Sequence, residues 1–503
     1  MRGAVDRLSE IFLGSEIDPR GNFARTITWL ALAGLFSAGL VHWLVFFRFG
    51  DFALSGFDWS KEVYYYSVIG ESISSQAIPF FANSPTPDMV PPDVDPRFFA
   101  LPETVISPQV LLLKVMDIGN FVLANTLIMY SVGFLGCLFL RWHFRLSLLP
   151  FTFLFLVFNF NGHITSHLSV GHTMWLGYFL LPWFFLLLFE LIRGHEGFRT
   201  GIAASISIVL FLVILQGSFH IFVWCLIFLG LFGLFNVSHL KTVAAATVAG
   251  IVLSAFRLVP AAMALTDWKP SYASGFPTLN TFFDALTYIN KDKFAHPITQ
   301  TFDRSYDVGW WEHDFFIGFL GLGLIAFFGV YLRFQQDTGT GGQGFKQFDW
   351  PLLIFVLFSF GVLFDLISDA RIPLLSWMER TPARFFIMPL LGLTFISAIR
   401  MQHFIANIEN IKRNWIFMLV SAAIFVELAH QLAVHSWFWR VEESEAAIAL
   451  MQIGINQTGQ SDSLYTIGVK IGGIVTLAFL ISLTGFALLS YSRRRNTSAT
   501  NSA

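Results

Sequence analysis

Residues 201–236 read GIAASISIVLFLVILQGSFHIFVWCLIFLGLFGLFN. The stretch contains two apolar runs, 201–216 and 218–236, and neither run holds an Asp, Glu, Lys or Arg residue. Runs of this kind are typical of helices that cross the hydrocarbon core of a bilayer, which is about 30 Å thick. Because similar runs recur along the whole chain, the sequence predicts an all-α polytopic membrane protein.

The composition excludes several other classes of protein. Of the 503 residues, 55% are hydrophobic and only 13% are charged, whereas a soluble domain carries about 25% charge. This excludes a soluble enzyme, a disordered chain and a fibrous protein. The net charge of -2 offers no basic face for nucleic acid. Both cysteines, Cys137 and Cys225, lie in apolar runs and are interpreted as buried hydrophobic side chains.

The apolar runs predict about twelve spans within one integral membrane domain over residues 1–503. Mixed-charge residues precede the first run, which is too long for the apolar region of a cleaved signal peptide, so we expect a retained signal-anchor helix. The predicted spans are 27–47, 118–140, 146–160, 172–192, 201–216, 218–236, 243–263, 315–333, 350–367, 384–399, 415–433 and 467–491.

The distribution of Lys and Arg predicts the orientation. Basic residues are enriched in the short loops on one side, with Arg141, Arg145 and the run 493–495 as examples. The positive-inside rule therefore predicts cytoplasmic N- and C-termini. The long segments then face outward, so we expect an inner membrane protein of a bacterium with its active face on the periplasmic or extracellular side. The outer segments are 48–117, 264–314, 367–383 and 434–466.

The first outer loop includes FGDFALSGFDWSKEVYYYSVIGESISSQAIPFF at 49–81. After Asp58 the apolar residues follow helical spacing, which predicts an interfacial helix with Tyr64 and Tyr65 at the level of the lipid headgroups. Asp58 has two interpretations, a catalytic carboxylate or a helix N-cap. Asp51 is a poorer candidate because it lies closer to the end of the first span.

Three histidines lie within NFNGHITSHLSVGHTMW at 159–175, which is interpreted as an outer turn. His163, His167 and His172 suit zinc ligation, hydrogen bonds to a phosphate or sugar hydroxyl, or purely structural hydrogen bonds. Their spacing is loose and no nearby acid or cysteine accompanies them, so no metal site is predicted.

Two further outer segments carry candidate ligand-binding side chains. In DRSYDVGWWEHDFFIG at 303–318, a Trp pair beside acids suits a sugar ring, although interfacial anchoring is the alternative. In ERTPARF at 379–385, two arginines suit a phosphate, and pairing with Glu379 or Asp369 is the alternative. The candidates are Trp311, Glu312, His313, Arg380 and Arg384.

The order of these motifs resembles the GT-C superfamily of polytopic glycosyltransferases, in particular bacterial membrane proteins related to it. The matching features are the retained first helix, an outer Asp, a helix ending in IPF, a Gly-His turn before the fourth span, RLVP in the seventh, and WWE and RTPARF before the eighth and tenth. The resemblance covers most of the chain as topology, and its motifs are short.

The resemblance implies transfer of a hexose or pentose from a polyprenyl-phosphate donor to a glycan, lipid or protein hydroxyl. It implies Asp58 as general base with Glu62 as its partner. Lys61 is a departure, since its charge would lower the pKa of Asp58 and weaken it as a base. No cofactor is implied, and a divalent metal is not predicted. Arg257, Arg384 and His172 would hold the donor phosphate, and His163, Trp311, Glu312, His313 and Arg380 would bind substrate.

Two other functions stay open from the sequence. One is a transporter or flippase of lipid-linked glycans, although no internal repeat and no charged midplane residues support it. The other is a non-catalytic membrane protein of envelope assembly.

Overall fold

The computed structural model describes most of the chain: 12–13, 22–83, 96–194, 197–264, 275–289, 309–335, 345–361, 381–407, 415–444, 454–456 and 462–500. Within these ranges the architecture is almost entirely helical. The helices, in chain order, are α1 (Asn22–Phe46), α2 (Trp59–Ser75), α3 (Ile118–Phe144), α4 (Leu148–Phe160), α5 (Gly162–Ser169), α6 (Leu181–Arg193), α7 (Thr200–Leu215), α8 (Phe219–Phe235), α9 (Leu240–Leu253), α10 (Ala255–Ala264), α11 (Leu279–Thr287), α12 (Gly318–Leu324), α13 (Asp349–Ser359), α14 (Ile387–Asn407), α15 (Trp415–Phe438) and α16 (Ser463–Thr500).

Shorter elements extend or join several of these helices. Tight 3-10 segments precede α6 (Thr173–Leu180) and α14 (Pro382–Phe386), and α12 continues as a π-helical stretch (Ile325–Tyr331) and a last turn (Leu332–Gln335). Two short antiparallel strands, β1 (Phe81–Asn83) and β2 (Gly454–Asn456), pair the segment after α1 with the segment before α16. The remaining 3-10 turns are Arg48–Gly50, Phe98–Ala100, Pro108–Lys114, Val237–His239, Trp310–Glu312 and Lys346–Phe348.

Seven helices of the described chain are long and apolar enough to cross a membrane, and a bent pair, Phe219–Phe235 with Val237–Leu253, raises this to eight if it counts as one span. The expectation of an all-α membrane protein is therefore confirmed. The seven are Phe23–Phe46, Ile118–Phe144, Leu148–Ser169, Thr173–Arg193, Pro382–Asn407, Ile416–Phe438 and Ser463–Gly485.

Each predicted span coincides with a helix, but several helices differ from the expectation. The third predicted span does not end at 160. Its helix breaks at Asn161, whose backbone is extended, and resumes as α5. His163 and His167 therefore lie on a helix, not on a turn. The seventh divides at Ser254 into α9 and α10. Twelve crossings stay a prediction because Thr200–Leu215 and Gly318–Phe334 are shorter than a full span.

Burial separates a central set of helices from a peripheral set. The apolar window of Pro382–Asn407 is 94% buried and that of Leu148–Ser169 is 89% buried, whereas those of Phe23–Phe46 and Ile416–Phe438 are each 22% buried. Peripheral helices expose large apolar side chains such as Leu30, Val426 and Ile474. An apolar surface of this extent requires a lipid environment or a partner.

The predicted helix in the first outer loop is confirmed as α2. Its tyrosines, however, contact protein: Tyr64 donates a hydrogen bond to the backbone oxygen of Ala82 (3.2 Å), and the Tyr66 hydroxyl lies 2.6 Å from Oγ1 of Thr173. The side chains from Glu62 to Ile69 are all buried. This helix is therefore part of the folded core on both of its faces. A position in the membrane interface stays a prediction.

The last helix packs closely on α10 because glycines face it. A Cβ at Gly472 would lie 2.5 Å from the backbone oxygen of Ala255, and one at Gly468 would lie 2.5 Å from Sδ of Met263. Small residues of this kind let helix backbones approach each other in a membrane. Gly473, the next residue, faces open space, with nothing within 4 Å of a Cβ.

We expect Gly472→Ile to destabilise the protein by about 1–3 kcal/mol, because the added side chain overpacks a backbone contact. Thermal unfolding in detergent measures the effect. Gly473→Ile, which adds the same side chain to the same helix on its open side, is the matched control and should unfold near the wild-type temperature. Equal unfolding temperatures for the two variants would contradict the close packing of α16 on α10.

Candidate functional site

The N-terminus of α2 rests on the turn that follows α5. The backbone N–H of Asp58 donates to Val170 O (3.1 Å), and Nε1 of Trp59 donates to Ser169 O (3.1 Å). Gly171 has a φ of +89°, and a Cβ there would lie 2.6 Å from the backbone nitrogen of Trp59. A glycine is required at this position for its backbone conformation and for the close approach. The turn therefore brings His172 to the start of α2.

The Asp58 carboxylate points away from its own helix. Asp58 occupies the N-cap position, but its side chain accepts no capping hydrogen bond. Instead, Oδ2 lies 2.9 Å from Nζ of Lys61 and 3.2 Å from Nε2 of His172. Both contacts use one oxygen, and the side chain is 40% exposed. The other oxygen, Oδ1, is thus available to a ligand.

The charge on Asp58 follows from these neighbours. Burial by itself raises the pKa of this carboxyl, but the Lys61 ammonium and the hydrogen bond from His172 outweigh burial and hold the pKa well below its usual value. Asp58 is therefore ionised at any physiological pH. The lowering by Lys61 agrees with the expectation from the sequence.

On one side of Asp58 the polar contacts lead to Arg384. Nδ1 of His172 lies 2.7 Å from Nδ1 of His167, and Nε2 of His167 lies 4.0 Å from Oε2 of Glu312. Glu312 accepts two hydrogen bonds of 2.5 Å from Nε and Nη2 of Arg384. The Arg384 guanidinium also lies over the ring of Trp175, at 5.3 Å from its centroid. These groups form a chain of polar contacts, the contact chain, which runs from the partly exposed Asp58 to the buried Arg384.

On the other side the contacts lead to Arg257. Lys61 bridges Asp58 and Glu103, with Nζ 3.1 Å from Oε2 of Glu103. The Arg257 guanidinium, which is fully buried, donates to the backbone oxygens of Leu101 and Thr104 and to the Thr104 hydroxyl. Its Nε and Nη1 have no hydrogen-bond partner among the described residues. Asp58 is therefore linked through intermediate groups to the segment that Arg257 binds and to Arg384.

Glu62 lies beside this chain in a dry environment. The Glu62 carboxylate, only 2% exposed, accepts a hydrogen bond of 2.5 Å from Thr173, which in turn lies 2.6 Å from the Tyr66 hydroxyl. Burial raises the pKa of Glu62 to about 8, against the opposing charge of Lys61. Glu62 is therefore mostly protonated at neutral pH. The backbone N–H of Glu62 donates to Asp58 O (3.1 Å), but among the described residues no side-chain hydrogen bond joins it to Asp58, its predicted partner.

The raised pKa of Glu62 predicts a pH dependence of stability. The unfolded carboxyl loses its proton near pH 4.5, whereas the folded one keeps it to about 8. The folded state therefore binds more protons between these values, and the stability contributed by this group falls as pH rises through that window. We expect the wild type to lose stability relative to Glu62→Gln from pH 5 to pH 8 in detergent. Glu71→Gln, on the exposed side of the same helix, should show no such trend.

Aromatic rings line the approach to Asp58. The rings of Phe57 and Trp311 meet edge to face at 5.3 Å, and Phe57 is 37% exposed. Trp311 is half-buried, whereas its neighbour Trp310 is buried. Of the predicted Trp pair, only Trp311 is partly exposed, so stacking on a sugar ring stays a prediction.

Two other predicted substrate-binding residues, His163 and His313, are enclosed by protein. His163 is fully buried, stacks on Phe315 at 5.1 Å, and has no hydrogen-bond partner for either ring nitrogen among the described residues. His313 is also fully buried, and its Nε2 lies 3.4 Å from Gly275 O. Arg380 lies outside the described residues. These three assignments stay predictions.

Several residues of the contact chain and its surroundings were not predicted from the sequence. Glu103 pairs with Lys61 across 42 positions, and no spacing rule relates the two. Thr173 and Trp175 belong to the 3-10 segment before α6, which resembles any other stretch of an apolar span. His167 was recognised only as one of three neighbouring histidines.

The chain was also compared with known proteins. No protein-family model matches it, and no curated protein matches it.

Proposed function

We propose that this protein is a membrane glycosyltransferase that moves a hexose or pentose from a polyprenyl-phosphate donor to an acceptor hydroxyl. The observation that supports this best is the Asp58 carboxylate, which is ionised and 40% exposed and has one oxygen without a partner among the described residues. The resemblance to the GT-C superfamily points to the same residue. The acceptor would be a glycan, a lipid or a protein.

The chemistry follows from what an ionised carboxylate does for a hydroxyl. Oδ1 of Asp58 would accept the proton of the acceptor hydroxyl while the hydroxyl oxygen attacks the anomeric carbon of the donor sugar. A carbon–oxygen bond forms there, and the bond from the anomeric carbon to the phosphate oxygen breaks. The bonding electrons leave with the polyprenyl phosphate. Lys61 and His172, both bound to Oδ2, would keep the carboxylate oriented.

The leaving phosphate would gain negative charge, which cationic groups stabilise. Two of the nitrogen atoms of Arg257 lack a partner among the described residues, which is the state expected of a group that binds an added anion. Because Arg257 is fully buried, a phosphate reaches it only if the segment 101–104 moves. Arg384 is paired with Glu312. It would stabilise the phosphate at a distance through its positive charge, or bind it directly after leaving Glu312.

An apolar crevice on the outside of the helical bundle suits a lipid chain. It has a volume of about 530 Å³ and lies between α1 and α15, with His42, Trp437 and Arg440 among its lining residues. Nε of Arg440 donates to Val45 O (2.9 Å), and Phe52 pairs with Glu443 just beyond. The crevice thus ends near the segment that leads to Asp58.

We propose twelve spans, cytoplasmic termini and a site on the outer face of a bacterial inner membrane.

The test is sugar transfer by the purified full-length chain in liposomes. The donors would be a panel of radiolabelled undecaprenyl-phosphate hexoses and pentoses, with native membrane extract as the source of acceptors. We expect label from at least one donor to enter an acceptor fraction in proportion to protein. If no donor of the panel is consumed by protein that remains folded, the proposal fails.

A transporter or flippase of lipid-linked glycans is the second candidate. The break at Asn161 favours it, because transporters form substrate sites from discontinuous helices and α5 carries two buried histidines after the break. Movement of a fluorescent lipid-linked sugar across the bilayer, unaffected by Asp58→Asn, would support this function over transfer.

A further inference from the structure

Two histidines and one acid meet beside Asp58 with their ligand atoms close together. The ligand atoms of His167, His172 and Glu312 all lie within 4.8 Å of one another. The three residues are 0%, 6% and 6% exposed, respectively. They come from the end of α5, the turn after it and the Trp310–Glu312 segment. Two imidazoles and a carboxylate are the ligand set of many catalytic zinc sites.

We propose that this cluster binds a divalent transition-metal ion, with Zn²⁺ as the reference ion. Nδ1 of His167 faces Nδ1 of His172 at 2.7 Å, so without an ion one of these nitrogens must carry the proton that joins them. An ion bound by Nδ1 of His172, by one ring nitrogen of His167 and by Glu312 replaces that proton. Nε2 of His167 is the nitrogen that lies 4.0 Å from Oε2 of Glu312. Where Nδ1 of His167 is the ligand, the two Nδ1 atoms must separate to about 3.3 Å, because each Zn–N bond is about 2.0–2.1 Å long.

Neighbouring side chains hydrogen-bond to the proposed ligands, as the residues around a bound metal ion usually do. Ligating histidines usually donate their second N–H to a carboxylate, and ligating carboxylates are themselves hydrogen-bonded. Here Nε2 of His172 lies 3.2 Å from Oδ2 of Asp58, and the Arg384 fork binds both oxygens of Glu312. Nε2 of His167 has no hydrogen-bond partner among the described residues, so no other protein group competes for that ring.

The ligand atoms favour a cation over an anion at this point, because imidazole nitrogens and a carboxylate oxygen offer lone pairs. The carboxylates of Asp58, Glu103 and Glu312 are balanced by the cations Lys61, Arg257 and Arg384, so the neighbourhood carries no excess of positive charge that would repel an ion. Imidazole nitrogen favours zinc, cobalt, nickel or iron over Mg²⁺ and Ca²⁺, which prefer oxygen ligands.

Metal content tests the proposal without any substrate. The full-length protein, purified in detergent with a tag that contains no histidine, is equilibrated with ZnCl₂ or CoCl₂ and separated from free metal. We expect about one ion per chain by elemental analysis and a visible absorption band for bound Co²⁺. His167→Asn and His172→Asn should each lower occupancy at least 10-fold. His163→Asn, on the same helix and equally buried but outside the ligand set, should keep the ion.

A second measurement covers variants that do not fold. Added ZnCl₂ should raise the thermal unfolding temperature of the wild type, and excess chelator should reverse the rise. Wild-type protein with no bound ion and no such shift overturns the proposal, as does full occupancy in His167→Asn and His172→Asn. The inference does not rest on sugar transfer: protein that transfers sugar without a bound ion contradicts the metal site alone, and metal-loaded protein without transfer contradicts the glycosyltransferase alone.

Discussion

Asp58→Asn is expected to lower the rate of sugar transfer by about 10²–10⁴-fold, the usual contribution of a positioned general base. The amide keeps the size of the carboxylate but does not accept the proton of the acceptor hydroxyl. The rate is measured as label transferred per minute from the donor that the wild type uses, with protein quantified in the same liposomes. Because Asp58 is 40% exposed, we expect the variant to keep the wild-type fold.

Asp51→Asn is the matched control for this substitution. Asp51 lies seven residues earlier in the same outer segment and is exposed, and its backbone N–H donates to Arg48 O. We expect wild-type transfer from this variant. If Asp58→Asn and Asp51→Asn transfer sugar equally well, Asp58 is not the base. If both lose transfer, the segment 48–58 acts as a structural unit and the role of Asp58 must be assigned elsewhere.

Glu312→Leu is expected to have the largest effect on stability, with a loss of about 3–5 kcal/mol in the free energy of unfolding. The leucine leaves the buried Arg384 guanidinium without the carboxylate that holds it. The double variant Glu312→Leu with Arg384→Met should recover most of the loss, because it also removes the buried positive charge that Glu312 neutralises. Unfolding in detergent, followed by temperature or denaturant, measures all three proteins.

An exposed ion pair supplies the control for the buried one. Nη2 of Arg333 lies 2.8 Å from Oδ2 of Asp349, and the two side chains are 18% and 44% exposed. Asp349→Leu should cost at most about 1 kcal/mol, because water screens such pairs. A loss as large as that of Glu312→Leu, or a double variant no more stable than Glu312→Leu alone, would contradict the importance assigned to burial of the Glu312–Arg384 pair.

The segment 48–117 shows how much of the structure a local sequence pattern predicts. The helical spacing after Asp58 correctly predicted α2, because side-chain periodicity is set by the helix itself. The same pattern predicts an amphipathic helix at the membrane interface, which stays a prediction, and the structure adds that α2 contacts the turn after α5 and β1. Aromatic side chains suit a membrane interface and a protein core equally well, so composition does not separate the two.

The histidines show a case in which local pattern gave the wrong placement. The sequence predicts that the third span ends at 160 and that the histidines lie on the turn after it. The chain instead resumes as α5 and buries His163 and His167. Only His172 lies beyond that helix, and it is the histidine that contacts Asp58.

The amino-acid sequence by itself determines the class of this protein, its series of apolar helices and the residue types of its candidate site, because bilayer thickness and helix periodicity act on neighbouring residues. The tertiary structure alone decides which of these residues meet. Lys61 reaches Glu103, His167 approaches Glu312, and Arg257 reaches Thr104 only because distant segments pack together. Such contacts depend on how helices cross and turn in three dimensions, which no spacing along the chain records.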